Sequence, residues 1–267
     1  MKANGADLHV EDSGGSGPAI VFSHGLLWST SMWRFQVEAF RGRYRCIAYD
    51  HRGQGKSGVT RSGYDMDTLT DDAAALIGQL GAAPAHFVGL SMGGFVGMRI
   101  AARRPELLRS LVLMETADDG EPWRNRPKYA AMSFLTRFLG IRPFVPTVMK
   151  ILFAPPFLQD PARAPLREEL VREMLGRDLV GVRRAVKGVI WRKSVAAEEL
   201  GRIRAPTLVI SGEQDSAVVP ARSRRMAARI PGAKVVTIPR AGHSSSLEEP
   251  EGVNRALRAF WDSLPRA

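Results

Sequence analysis

The sequence predicts an α/β protein: a mostly parallel sheet flanked by helices, with one helical cap inserted between two of its strands. Three observations carry that expectation. Short, continuously apolar runs such as Ala19–Phe22 and Leu111–Met114 mark strands covered on both faces. Stretches with helical spacing alternate with them, the order that builds parallel strands through right-handed crossovers. The alternation stops at about Asp118 and resumes near Ala205. The chain therefore divides into a core of residues 1–117 and 200–267 and a cap of residues 118–199. At 267 residues, such a protein buries about three quarters of its unfolded surface.

Ala6–Glu11 alternates like an edge strand and is followed by the turn cluster Asp12–Pro18. Ala19–Phe22 is the first buried strand and ends in Ser23-His24-Gly25-Leu26-Leu27. A short helix is expected over Met32–Phe40 and a strand over Tyr44–Tyr49, ending in Asp50-His51-Arg52-Gly53-Gln54-Gly55-Lys56-Ser57. Met66, Leu69, Ala73, Leu76, Ile77 and Leu80 recur at helical spacing, with Asp65 placed to cap the start and Gly81 to end it. His86–Leu90 is a strand, Met92–Arg104 a helix ended by Pro105, and Leu111–Met114 another buried strand.

Inside the cap, Lys128–Leu139, Val145–Phe153, Glu168–Leu175 and Gly181–Trp191 read as helices, with Pro155-Pro156 and Pro161 as interruptions. Ala205–Ile210 restores the strand pattern and ends in Ser211-Gly212-Glu213-Gln214-Asp215. Val219–Ile230 is a helix, and Lys234–Ile238 is the last strand, ending in Pro239-Arg240-Ala241-Gly242-His243. Glu249–Leu264 closes the chain as an amphipathic helix with Val253, Leu257, Phe260, Trp261 and Leu264 inward. In open parallel sheets, ligands bind outside the carboxyl ends of the strands. Ser91, His24, Asp50, Asp215 and His243 all follow strand ends, so the element order brings them to one edge.

The net charge of +11 comes from 31 Arg and 7 Lys against 27 acidic residues. Between Asp118 and Arg204 there are 17 basic and 10 acidic residues, so most of the excess lies in that one segment. No aromatic-interleaved basic run or zinc-ligand spacing accompanies it, which argues for a solvated basic surface and against a nucleic-acid partner. The single cysteine, Cys46, lies in an apolar strand and reads as a small core residue. No stretch approaches 18 apolar residues and no apolar leader opens the sequence. The expectation is a soluble, cytoplasmic protein with no membrane partner. The oligomeric state is not encoded in any feature of the sequence.

The chemistry centres on Phe87-Val88-Gly89-Leu90-Ser91-Met92-Gly93-Gly94-Phe95. A strand running through Gly-x-Ser-x-Gly into a helix exposes the serine on a sharp turn and aims free helix N–H groups at it. A serine hydroxyl is a weak nucleophile and needs a base, and the base needs an orienting acid. His243 is the candidate base, since its ordinary pKa suits giving and taking a proton near neutrality. Asp215 is the candidate acid, with Glu213, Glu115 and Asp118 as rivals. The oxyanion of the tetrahedral intermediate needs two donors, for which the backbone N–H groups of Met92 and Leu26 are expected. His24 reads as a structural anchor of the Leu26 loop, and His9, His51 and His86 as structural or surface residues. Trp28 and Trp33 follow the oxyanion loop and are expected as substrate-pocket walls. In the cap, Met132, Phe134, Leu135, Phe138, Ile151, Leu152, Phe153 and Trp191 are candidates to face the pocket or to pack the cap itself.

Together, His24-Gly25, the Asp50–Ser57 loop, Gly89-Leu90-Ser91-Met92-Gly93-Gly94, Gly212-Glu213-Gln214-Asp215 and Gly242-His243 resemble the α/β-hydrolase superfamily across nearly the whole chain. The likeness is greatest to the 3-oxoadipate enol-lactonase and small carboxylesterase branch. It implies the α/β-hydrolase fold, a triad in the chain order Ser91, Asp215, His243, a cap between the sixth and seventh strands, and Asp50 and Arg52 as scaffold. It also implies hydrolysis of a small-molecule ester or lactone without cofactor or metal. Haloalkane dehalogenases and epoxide hydrolases of this superfamily use an aspartate nucleophile, which Ser91 disfavours. Carbon–carbon hydrolases of ring-cleavage pathways and cofactor-free perhydrolases use the same triad and are the alternative activities. A ligand-binding protein with a relic triad is the non-enzymatic alternative.

Overall fold

The computed structural model describes residues 1–265. Nine strands form in order: β1 (Lys2–Ala3), β2 (Ala6–Asp7), β3 (Val10–Asp12), β4 (Ala19–Ser23), β5 (Arg45–Tyr49), β6 (Ala85–Leu90), β7 (Leu108–Met114), β8 (Thr207–Gly212) and β9 (Lys234–Ile238). The last seven make one sheet in the order β3-β5-β4-β6-β7-β8-β9. Only β3 runs antiparallel to its neighbour. The expected edge strand Ala6–Glu11 is divided, because Ala6 and Asp7 turn back onto Lys2 and Ala3 while Val10 begins the pairing with β5. Strand β7 starts at Leu108, earlier than expected, since Leu108 pairs with Ala85 across a bulge.

The strands alternate their side chains between two cores, as the two-residue period demands. Val21, Phe87, Leu111, Leu113 and Val209 face one side. There they meet α2 (Met66–Gln79), α3 (Met92–Arg103) and, later in the chain, the helix Pro220–Ala227. Ile20, Phe22, Val88, Leu90, Val112, Met114 and Ile210 face the other, against α1 (Arg34–Phe40) and the C-terminal helix Pro250–Asp262. Asp65 caps α2 by accepting the Thr68 N–H at 2.9 Å, and Gly81 follows the helix with φ +57°. Val253, Leu257, Phe260 and Trp261 of the C-terminal helix are buried, and Leu264 is half-buried against the same core. Cys46 is buried in β5, and burial pushes its thiol up to about 12, so it is an inert core residue.

Between β7 and β8 the chain leaves the sheet and forms α4 (Arg126–Leu139), α5 (Val145–Leu152), α6 (Pro155–Gln159), α7 (Ala164–Leu175), α8 (Leu179–Ile190) and α9 (Ala197–Leu200). The Pro155-Pro156 pair opens α6 instead of breaking the chain, because proline lacks only an N–H that the first turn leaves free anyway. Strands β7 and β8 are adjacent parallel partners, the fifth and sixth members of the seven-stranded sheet. The resemblance implied a cap between the sixth and seventh strands; in this sheet the insertion falls between the fifth and sixth, and the first residues pair only with each other as β1 and β2. The remaining helices are α10 (Pro220–Ala227), α11 (Ser245–Glu248) and α12 (Pro250–Asp262). Among the described residues, no helix is long and apolar enough to cross a membrane.

A buried ion pair stiffens the loop after β5. The Arg52 guanidinium donates through Nε and Nη2 to both Asp72 oxygens at 2.6 and 2.5 Å, tying the loop to α2. The Asp50 carboxylate accepts the N–H groups of Thr30 and Lys56 at 2.7 and 2.8 Å. The motif residues Asp50 and Arg52 thus hold backbone in place.

Candidate active site

Ser91 occupies the sharp turn between β6 and α3 with φ +50° and ψ −106°. A side chain is strained in that region, and such strain persists only where the surroundings over-determine it. Here the Ser91 N–H donates to Met114 O at 2.8 Å, and the Ser91 carbonyl accepts the Phe95 N–H and the Thr116 hydroxyl at 3.0 and 2.9 Å. The two motif glycines are required by close approach. A Cβ on Gly89 would lie 2.3 Å from the Gly93 carbonyl oxygen, and one on Gly93 would lie 2.0 Å from that of Ser23.

Beside Ser91 lies the loop after β4. His24 is fully buried and donates from Nδ1 to the Gly25 carbonyl at 2.7 Å. Its Nε2 accepts the His51 N–H at 3.0 Å. Burial pushes His24 down to about 3, so it stays neutral and links two loops. The Leu27 N–H is held by Gln54 Oε1 at 2.8 Å, with Leu27 itself at φ +71°. Among the described residues, the N–H groups of Leu26 and Met92 donate to no protein acceptor. Met92 follows Ser91 directly, and Leu26 lines the same cavity as Ser91.

Asp215 and His243 follow β8 and β9. His243 Nδ1 donates to Asp215 Oδ2 at 2.9 Å, and the Asp215 side chain is inaccessible to solvent. Its other oxygen accepts the N–H groups of Ala217 and Val218 at 2.8 and 2.9 Å. The rival carboxylates make no such contact. Glu213 is exposed and accepts the Arg240 N–H, and Asp118 pairs with Arg229. Glu115 is wholly buried; burial and then the nearby Asp215 carboxylate push its pKa well above the usual carboxylate range, which favours its protonated form. Ser91 and His243 line one cavity, although the Ser91 hydroxyl makes no hydrogen bond to the imidazole in this geometry. Bonds of this type commonly tighten only around substrate.

The sequence offered no reason to single out Glu248, which brackets the histidine loop. Its Oε1 accepts the N–H groups of Gly242 and Ser244 at 2.9 and 3.0 Å, on either side of His243. Its Oε2 accepts the Ala154 N–H at 2.7 Å, which ties the loop to the helical insertion. An acid directly after the short serine and leucine stretch Ser244–Leu247 is the only local sign of it. Burial outweighs these donors and pushes Glu248 up to about 7, above an unfolded value near 4.5. The folded protein then keeps a proton that the unfolded chain releases, so this contribution is complete below pH 4.5 and is lost as pH rises to about 7. Urea unfolding at pH 4.5 and 7.5 should show a loss attributable to Glu248 on the order of 3 kcal/mol. In Glu248→Gln that part of the pH dependence should vanish; an unchanged difference between the two pH values refutes it.

The cavity measures about 180 Å³. Trp28 is one wall, packed edge-on to Phe153 with ring centroids 5.7 Å apart. Met132, Ile151 and Leu152 also face it. Two expected pocket walls must be corrected. Trp33 is fully buried against Phe22 in the core, because the turn that carries it points inward to the sheet. Trp191 is 58% exposed on the outside of the insertion, with Arg126 over its ring. At the end of α8, its position falls on the face opposite Val182, Val186 and Val189, which line the cavity. Phe134, Leu135 and Phe138 likewise point to solvent, and Phe153 is buried behind Trp28. Arg192 and Glu121, which the sequence did not distinguish from other surface charges, line the cavity.

Comparison with known proteins shows the family and the fold. The profile of the alpha/beta hydrolase family matches residues 20–256. The chain is 31% identical over 250 residues to 3-oxoadipate enol-lactonase 2 of Acinetobacter baylyi, covering 91% of this chain and 88% of that one. The enol-lactonase of Burkholderia xenovorans aligns with a TM-score of 0.89 at 29% identity over 98% of each chain. A thermophilic esterase of Thermogutta terrifontis, solved with malate bound, aligns with a TM-score of 0.88 at 28% identity over 96% of this chain and 93% of that one.

Proposed function

The chain belongs to the alpha/beta hydrolase family and is a hydrolase, and from that premise we propose that it cleaves a carboxylic ester or lactone through an acyl-enzyme on Ser91. The observation that supports this most is the strained Ser91 at the head of α3, sharing one cavity with a histidine already bonded to a buried aspartate. The enol-lactonase and esterase relatives point the same way.

In this mechanism His243 removes the Ser91 proton as Oγ attacks the substrate carbonyl. Asp215, bonded to Nδ1, leaves Nε2 as the basic nitrogen and stabilises the imidazolium that forms. The oxyanion falls to the N–H groups of Leu26 and Met92, which cost no reorganisation because the turn and the helix hold them. Collapse of the intermediate expels the alkoxide, which His243 protonates; in a lactone this alcohol stays attached to the acyl chain. A water molecule deprotonated by His243 then releases the acid and restores Ser91. The insertion, residues 118–199, acts as a cap that keeps the cavity small and apolar, suited to a short substrate.

A test that needs no knowledge of the natural substrate is a burst experiment with 4-nitrophenyl acetate. One equivalent of nitrophenol should appear ahead of the steady state, with an acetyl adduct on Ser91 seen by mass spectrometry. Turnover without any adduct on Ser91, at any time after quenching in acid, refutes the acyl-enzyme.

A further inference from the structure

One side chain of the loop after β5 reaches the serine site. Gln54 is 3% exposed. Its Oε1 accepts the Leu27 N–H at 2.8 Å, and its Nε2 donates to Met92 Sδ at 3.7 Å. Leu26 and Met92 are the residues whose free N–H groups would meet the oxyanion. Gln54 therefore touches the chain neighbour of one donor and the side chain of the other. Both segments lie against Ser91: Met92 follows it, and a Cβ placed on Gly25 would lie 3.5 Å from the Ser91 Cβ. Gln54 is itself firmly placed. Its N–H donates to the His51 carbonyl and its carbonyl accepts the Ser57 N–H, both at 3.0 Å.

The contact to Leu27 matters because of that residue's backbone. Gly25 to Trp28 form a turn, closed by the Trp28 N–H on the Gly25 carbonyl at 3.2 Å. Leu27, the third residue, has φ +71°, whereas Leu26 lies outside the left-handed region. That combination is a type II turn, whose third position favours glycine. A leucine there carries a steric cost that its surroundings must offset. The type I turn relieves the cost by turning over the Leu26–Leu27 peptide. That motion swings the Leu27 N–H away, so an acceptor fixed on this N–H opposes it. Gln54 Oε1 is its acceptor among the described residues. The Gly25 carbonyl is pinned as well, by His24 Nδ1 at 2.7 Å. With the Leu27 and Trp28 N–H groups engaged, that of Leu26 is left free.

We propose that Gln54 is a positioning residue for the oxyanion hole: it holds Leu27 in its left-handed conformation and so fixes the segment carrying the Leu26 N–H beside the head of α3. This rests on the serine-hydrolase reading. It also gives the Asp50–Ser57 loop a task in the reaction. Asp50 and Arg52 anchor the loop through Thr30, Lys56 and Asp72, and Gln54 passes that rigidity to the donors. Preorganised donors stabilise an oxyanion because they do not reorient as its charge develops. Loosening one of them slows the step that forms the oxyanion. It changes the binding of the ester much less, because the ground-state carbonyl carries little of that charge.

The test applies the 4-nitrophenyl acetate burst to Gln54→Met, which keeps the bulk and removes the acceptor, and to Gln54→Glu, which keeps an oxygen for the Leu27 N–H. In Gln54→Met the burst rate at saturating ester should fall ~10- to 100-fold, less than the ~100- to 1,000-fold cost of losing a donor outright. The half-saturating ester concentration should stay within about twofold of the wild type. Gln54→Glu should recover most of the rate. n-Butylboronic acid, whose boron bonds to Ser91 Oγ as the hydroxyl proton passes to His243, is a tetrahedral probe of the same donors. Its affinity should weaken in Gln54→Met by the same factor as the burst rate. Glycine takes a positive φ without steric cost, so the Gln54→Met loss should shrink in a Leu27→Gly background. A wild-type burst rate and boronate affinity in Gln54→Met overturn the proposal. So does a loss that Gln54→Glu shares in full, or one that is as large in Leu27→Gly. Gln54→Asn, one carbon too short to reach Leu27, takes the place of Gln54→Met if that variant does not fold. A wild type that takes neither acetyl nor boronate at Ser91 instead refutes the acyl-enzyme, and this assignment with it.

Discussion

Ser91→Ala should lower ester turnover by on the order of a million-fold and abolish labelling by a fluorophosphonate probe. The size of the loss follows from what the serine does in the proposed mechanism. Without Oγ no acyl-enzyme forms, and the remaining rate is that of water attacking a substrate held by the Leu26 and Met92 N–H groups. The fold should tolerate the change. Ser91 is half-buried, its backbone bonds to Met114, Phe95 and Thr116 do not involve Oγ, and alanine meets the same φ of +50°. Thermal unfolding of the variant should therefore stay close to that of the wild type while labelling disappears. Undiminished labelling of Ser91→Ala, or its retention of ester turnover, would sink the assignment.

The second large effect is expected at Asp215. Asp215→Asn should slow turnover by ~10,000-fold near neutral pH, with KM nearly unchanged. An aspartate accepts the His243 Nδ1 proton and leaves Nε2 free to act as base. An asparagine amide can donate to Nδ1 and so favours the tautomer with the proton on Nε2, where it cannot receive the one from Ser91. The two N–H groups of Ala217 and Val218 that meet Oδ1 can still be satisfied by an amide oxygen, so the loop should keep its shape. Near-normal turnover in Asp215→Asn would transfer the role to another carboxylate. The buried Glu115 beside Asp215 is the first to examine, through the double variant with Glu115→Gln.

The parts of the site that could be read in the sequence are those whose geometry is imposed by near neighbours. Gly89 and Gly93 bracket Ser91 because a Cβ at either would strike backbone a few ångströms away. The free N–H of Met92 follows from its place in the first turn of a helix. Asp215 and His243 could be proposed from strand order, since parallel strands end on the same edge. Choosing Asp215 over Glu213, Glu115 and Asp118 could not be done that way. All four follow strand ends, and only the folded loops decide which carboxylate points at Nδ1 and which is exposed, neutral or bound to an arginine.

The errors lie where small rotations matter. Trp33 and Trp191 are large apolar residues near loops of the right address, yet one is turned into the core and the other out to solvent. A shift of one position around a helix separates Ile190, which faces the cavity, from Trp191, which does not. Glu248 and Arg192 were missed for a related reason. Each is one charged residue among many in the sequence, and each becomes distinctive only through the partners that burial gives or denies it.

The sequence by itself determined the fold, the turn that exposes Ser91, the edge of the sheet where the candidate site is gathered, and the order in which Ser91, Asp215 and His243 reach it. Those properties depend on hydrophobic period and on steric limits within a few residues, both written locally. Tertiary structure decided which acid meets His243, which tryptophan faces the cavity, and that Arg192 lines it. These depend on contacts between residues tens to over a hundred positions apart. There a rotation of one helix, or a single buried partner, sets whether a side chain is a wall, an anchor or a binding group.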